Sequence, residues 1–164
     1  MGQPTFRALT EAEARALAED LVLQGRARRL GFVAPGAAVD LARADWTPAA
    51  DGTYEIAALP PVAEAALRDA LARLGDALDL RLVRHGPRGA GLPPAKGVGF
   101  TVDLSRDWRS SDGGLLLFVD EEGRAEGWRP EPGALTLYDA ARPPLLTMVV
   151  PGVAKPRVAL FGRL

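Results

Sequence analysis

The chain has 164 residues with no cysteine and a single histidine. Without cysteine there is no disulfide framework, thiolate nucleophile, zinc finger or iron–sulfur cluster, and the redox compartment cannot be read from sulfur. With His85 as the one imidazole, any site needing two must borrow the second from another subunit, which removes His-rich zinc sites and the two-His-one-carboxylate iron triad from a lone chain. Asparagine is absent too. No run of about 18 apolar residues occurs, so no membrane span is expected. The opening MGQPTFRALTEAEARALAED is charged every few residues, unlike a signal peptide, and a cytoplasmic location is the expectation.

Charge of one sign is also missing. Lys+Arg 20 against Asp+Glu 21 leaves a formal net charge of −1, so neither a nucleic-acid footprint nor an acidic tail is indicated, and no nucleic-acid or membrane partner is expected. Lys96 and Lys155 are the only lysines; with abundant alanine, glycine and proline this matches GC-rich, bacterial-type codon usage, and the arginine excess carries no functional weight. The length is that of one domain, taken as residues 1–164, with 1–77 a helical support region and 78–164 a β-rich core.

Thr10 and Glu13 form a capping box, and Ala14, Leu17, Leu21 and Val22 recur at helical spacing up to Gly25, which predicts a helix over 11–24. Leu30–Val33, closed by Pro35-Gly36, reads as a strand; residues 37–59 are ambiguous. Pro60-Pro61 opens a second helix with Val62, Ala66, Leu67, Ala70, Leu71 and Leu74 on one face, ending near Gly75. From Leu78 the period changes to two. Strands are expected at 78–83, 98–104, 115–119, 134–138, 146–150 and 157–161, separated by turns and not by helices. This pattern gives an α+β fold, with helices backing an antiparallel sandwich or jelly roll.

The blocks from Gly99 to Leu164 resemble the prolyl-hydroxylase branch of the iron(II)/2-oxoglutarate dioxygenases, which fold as a cupin-like double-stranded β-helix. Phe100–Trp108 is similar to that family's strand ending in Tyr-Leu-Asn-x-Asp-Trp, Asp112–Phe118 to its Asp-Gly-Gly-x-Leu-x-Leu hairpin, and Pro130–Tyr138 to its Pro-x-x-Gly-x-Leu-Val-Leu-Phe strand. Thr147–Gly162 follows its last motif, His-x-Val-x-Pro with a basic residue ten positions after the histidine. Weaker similarity upstream, through Gly25–Arg28 and Arg43–Trp46, extends the resemblance toward the whole chain.

The resemblance implies an iron site and a 2-oxoglutarate site, and the departures from it fall on both. Thr147 stands where the family has its last histidine, and the stretch 87–96, where its His-x-Asp belongs, holds neither residue. His85 matches the aromatic position before that loop and is otherwise a weak metal candidate. Arg157 matches the residue that pairs with the cosubstrate's distal carboxylate, and Asp103 replaces the tyrosine that reaches the same group; the two are expected to form an internal ion pair. Arg157, Asp103 and Thr147 are therefore the degenerate cofactor positions, with no catalytic residue assigned and no cofactor expected. The leading reading is a non-catalytic binding or regulatory protein on the family frame. Its alternatives are an active oxygenase with displaced ligands, His85 with Asp103 or Asp107, and an unrelated jelly-roll module binding a small molecule or protein. A peptide or protein partner is the expectation, and exposed sheet edges make a homodimer plausible. Trp46 and Trp108 read as packing anchors, Asp112-Gly113-Gly114 as turn chemistry, and Asp120–Glu122 as a solvated hairpin tip.

Overall fold

The computed structural model describes residues 6–34, 44–50 and 53–164. Helix α1, Glu11–Gln24, starts as expected: Thr10 Oγ1 accepts from Glu13 N–H at 3.2 Å, Thr10 N–H donates to Glu13 Oε2 at 2.9 Å, and Gly25 at φ 72° closes the last turn on Leu21 O. Helix α2, Pro61–Leu71, begins on the Pro60-Pro61 pair and buries Ala63, Leu67, Ala70 and Leu71.

The strands are β1 Arg26–Arg29, β2 Thr47–Pro48, β3 Glu55–Ala57, β4 Leu78–His85, β5 Val98–Asp103, β6 Leu116–Val119, β7 Ala125–Trp128, β8 Leu135–Asp139, β9 Leu145–Leu146 and β10 Arg157–Arg163. Every named pairing is antiparallel. They form a seven-stranded sheet, β1-β8-β5-β10-β4-β3-β2, and a three-stranded sheet, β7-β6-β9. Strand alternation sends each side of the large sheet to a different core. Leu82, Phe100, Val102, Leu135, Leu137 and Leu160 pack with the helices. Their neighbours Val83, Tyr138 and Phe161 point the other way and pack with Leu116, Phe118 and Leu146 of the small sheet. The space between the sheets is thus occupied by the chain's own apolar side chains.

The local expectations fail in three places. The strand expected at Leu30–Val33 forms four residues earlier, at Arg26–Arg29, paired with β8; Val33 makes a single bridge to Phe6. Its inward-facing arginines are accommodated by rings, Arg26 lying 5.1 Å from the Phe118 centroid and Arg28 4.9 Å from that of Trp128. The second departure is β7, which carries no apolar alternation and was not expected. The third is the strand expected at 146–150, of which Leu146 joins β9 and Val149 bridges Gly113. The first 77 residues supply β1, β2 and β3 as well as the two helices. Residues 37–43 and 51–52 of the ambiguous segment, and the Pro35-Gly36 turn before it, lie outside the described residues.

Candidate functional site

Phe100 and Val102 of β5 face the helices, so Asp103 faces the small sheet; Leu160 of β10 faces the helices, so Arg157 faces the same interior as Phe161. Asp103 stands opposite Ala159 in the β5–β10 register, which makes Arg157 its diagonal cross-strand neighbour. Arg157 Nη2 donates to Asp103 Oδ2 at 3.0 Å, with both side chains almost wholly buried. The expected ion pair is present. Ser105 N–H donates to Asp103 Oδ1 at 2.9 Å, and the Ser105 hydroxyl is tied to the Val158 backbone. Burial pushes the Asp103 carboxyl above its ordinary range, against the opposing pull of Arg157 and Ser105. Arg157 Nε and Nη1 are buried and have no hydrogen-bond partner among the described residues.

A glycine turn covers Arg157. At Gly114, φ is +64° and an added Cβ would lie 2.8 Å from Arg157 Cδ; at Gly113, φ is +76° and a Cβ would meet Met148 O at 2.1 Å. Both positions need glycine for backbone conformation and for close approach. Trp108 Nε1–H donates to Gly113 O at 2.8 Å, fixing the turn from one side. Thr147 fixes it from the other: its Oγ1 accepts from Leu115 N–H at 2.8 Å, while Thr147 N–H donates to Leu115 O at 2.9 Å.

His85 ends β4 directly opposite Arg157 in the β4–β10 register. Its Nε2 lies 2.8 Å from Gly91 O, and its ring packs 5.5 Å from that of Tyr54. Asp107 is exposed. Among the described residues no group of three or more His, Cys, Asp or Glu is placed to hold a metal ion, so His85, Asp103 and Asp107 are not brought together as a ligand set.

Sequence reasoning missed Arg28, whose Nε donates to Thr136 Oγ1 and whose Nη2 donates to Arg129 O, both at 3.1 Å. Desolvation pulls its guanidinium down, against Asp103 and Glu131. The polar–apolar–polar run Arg26-Ala27-Arg28 was the available signal.

No family model and no curated protein matches the chain by sequence. Solved structures do match in shape. A prolyl-4-hydroxylase from Pseudomonas putida superposes with a TM-score of 0.71 at 17% identity, covering 92% of this chain and 97% of that one. A prolyl hydroxylase from Trichoplax adhaerens, in complex with a hypoxia-inducible-factor peptide fragment, gives 0.69 at 12% identity, with 93% and 89% covered. A 2OG-Fe(II) oxygenase family oxidoreductase from Burkholderia pseudomallei gives 0.62 at 17%, with 99% and 94% covered. The fold is that of prolyl-hydroxylase-like oxygenases.

This result corrects the expectation of no cofactor. The proteins that share the fold are iron(II)/2-oxoglutarate-dependent oxygenases, which use cofactors, so an expectation of none does not stand. The residues present fit the two groups differently. Two buried, unpartnered nitrogens on Arg157 suit a small carboxylate, although Asp103 already engages the third. The iron fits poorly: Thr147 offers a neutral hydroxyl already engaged by Leu115 N–H, and 87–96 supplies neither histidine nor aspartate.

No helix among the described residues is long and apolar enough to cross a membrane.

Proposed function

We propose that this chain is a non-catalytic binding or regulatory protein built on the double-stranded β-helix of the prolyl-hydroxylase-like dioxygenases, with a degenerate metal motif. The observation that carries this reading is Thr147: where the resemblance calls for a histidine ligand, a hydroxyl accepts the Leu115 N–H at 2.8 Å and serves the strand. The Arg157–Asp103 pair adds support, because a carboxylate of the chain itself engages the cation that the resemblance assigns to a cosubstrate. Apolar packing between the sheets adds more, with Tyr138, Phe161, Leu116 and Phe118 filling that interior. A peptide or protein is the partner class such a scaffold would serve.

The alternative, an oxygenase using His85 with Asp103 or Asp107, draws no comparable support, since Asp103 is engaged by Arg157 and Asp107 is exposed. Anaerobic iron(II) titration followed by calorimetry, with succinate measured after admitting oxygen and 2-oxoglutarate, decides between them. The proposal expects no iron-dependent succinate. Stoichiometric iron binding together with iron-dependent succinate would overturn it.

A further inference from the structure

The run Leu115–Val119 is apolar at every position, yet it supplies the middle strand of a three-stranded sheet with one face against the core. An antiparallel strand with a solvated face alternates apolar and polar residues, and a continuous apolar run is the mark of a strand covered on both faces. Leu116 and Phe118 are buried against the large sheet, so Leu115, Leu117 and Val119 point outward. The registers set Gly127 and Leu145 on either side of Leu117, and Ala125 beside Val119. Cross-strand partners share a face. In agreement, a Cβ on Gly127 would meet Leu115 Cδ1 at 3.7 Å and Leu117 Cδ1 at 3.9 Å. None of these six residues is charged, and Leu145 and Val119 are 61% and 49% exposed.

The face carries a knob and a gap at matched positions. Leu145 is its most exposed large side chain, and Gly127, at the same level on the other side of Leu117, has no side chain at all. We propose that the outer face of β7-β6-β9 packs on the same face of a second copy, about a two-fold axis that lies between the two sheets and runs along β6. That rotation lays β9 of each copy over β7 of the other, so Leu145 enters the gap at the partner's Gly127, and the contact occurs twice. An axis at right angles to β6 would instead set leucine on leucine and glycine on glycine. The glycine therefore selects the arrangement, within the aligned, roughly 10 Å sheet packing that two inner faces adopt.

The two hairpin tips fall at one end of this axis, where Asp120, Glu121 and Glu122 are already paired with Arg124 and Arg142. Three short strands at about 4.8 Å spacing offer less than the roughly 800 Å² that each partner gives to a standard interface, so the dimer is a weak, reversible one. The face lies on the far side of the small sheet from Arg157, which makes the inference independent of whether the chain turns over 2-oxoglutarate.

The test is sedimentation velocity of the whole chain from about 10 μM to about 1 mM. Wild type is expected to pass from monomer to dimer across that range. Leu145→Ala removes the knob and Gly127→Leu fills the gap, and each alone is expected to weaken association at least about ten-fold. Mixed in equal amounts, the two variants are expected to recover association near that of wild type. In the mixed dimer one contact pairs the native leucine with the native glycine, and the other pairs the introduced leucine with the introduced alanine. Both positions are exposed, circular dichroism checks the fold, and Leu145→Ala carries the test by itself if Gly127→Leu disturbs β7. Wild type that stays monomeric throughout would overturn the proposal and leave the face to a different partner. It is overturned equally by a folded single variant that associates as wild type does, or by a mixture of folded variants that associates no better than its components.

Discussion

Arg157 and Asp103 meet as diagonal neighbours across β10 and β5, Nη2 to Oδ2 at 3.0 Å, with scarcely any surface exposed on either side chain. Removing one partner strands the other charge out of water. Asp103→Ala is therefore expected to cost about 3–5 kcal/mol of folding stability. Asp103→Asn keeps an oxygen for Arg157 and should cost less, about 1–2 kcal/mol. The double change Arg157→Met with Asp103→Leu should be milder than Asp103→Ala, because no buried charge remains. Urea unfolding of the variants checks the order; a double variant worse than Asp103→Ala would show that the pair contributes net stability of its own.

The pH response follows from the direction of the Asp103 shift. Burial raises this carboxyl in the folded chain, so the folded state holds the proton more tightly than the unfolded state, where the value is about 3.9. The resulting stability is fully present below about 3.9 and is lost as pH rises through the higher folded value. Asp79, Asp120 and Glu126 are shifted down by arginine and other hydrogen-bond partners and act in the opposite sense, losing stability as pH falls. Those groups are common to wild type and Asp103→Asn and cancel in the comparison. Wild type should thus lose stability relative to Asp103→Asn as pH increases from about 4. Unfolding both proteins across that range measures the difference, and a flat or opposite slope contradicts the raised value.

Gly99 and Tyr138 form a second coupled pair. Gly99 has an ordinary extended backbone, so its need for glycine is purely spatial: a Cβ would sit 2.4 Å from Tyr138 Cε2. Gly99→Ala should cost about 1–3 kcal/mol through overpacking. Tyr138→Phe removes only the hydroxyl, at 2.5 Å, and keeps the two closer ring atoms Cζ and Cε2, so it should give little relief. Tyr138→Leu removes them, so Gly99→Ala with Tyr138→Leu should be less destabilised than the sum of its parts by about 1 kcal/mol or more. Strict additivity would separate the two residues.

How much of this was legible beforehand depended on whether a feature was local. The capping box of α1, the proline start of α2 and the period-two runs of β4, β5, β8 and β10 are written in consecutive residues, and each forms where expected. Strand β1 was not, because Arg26 and Arg28 face inward and find Phe118 and Trp128 about a hundred residues away in sequence. The strand expected at 146–150 is cut short for a similar reason: Met148 O accepts Gly114 N–H, so the chain there serves a turn and leaves the ladder. In the site, Arg157 and Asp103 followed from motif spacing. The Tyr138–Gly99 contact did not, since it requires knowing that the two residues are opposite one another in the β5–β8 register.

Thr147 supplies the last prediction, because its role separates a strand-holding hydroxyl from an idle relic of a ligand. Its Oγ1 accepts from Leu115 N–H, and the preceding residue, Gly114, is the one laid against Arg157. Thr147→Val preserves shape and removes the acceptor, leaving a part-buried N–H unpaired at a cost of about 1–2 kcal/mol. Thr147→Ser retains the oxygen and should cost less. Amide hydrogen exchange localises the effect: the Leu115 N–H should exchange faster in Thr147→Val and remain protected in Thr147→Ser. A lone pair committed to Leu115 is also one withheld from a metal. Leu115 exchange left unchanged by Thr147→Val would free that hydroxyl from its structural duty and remove the main support for the non-catalytic reading.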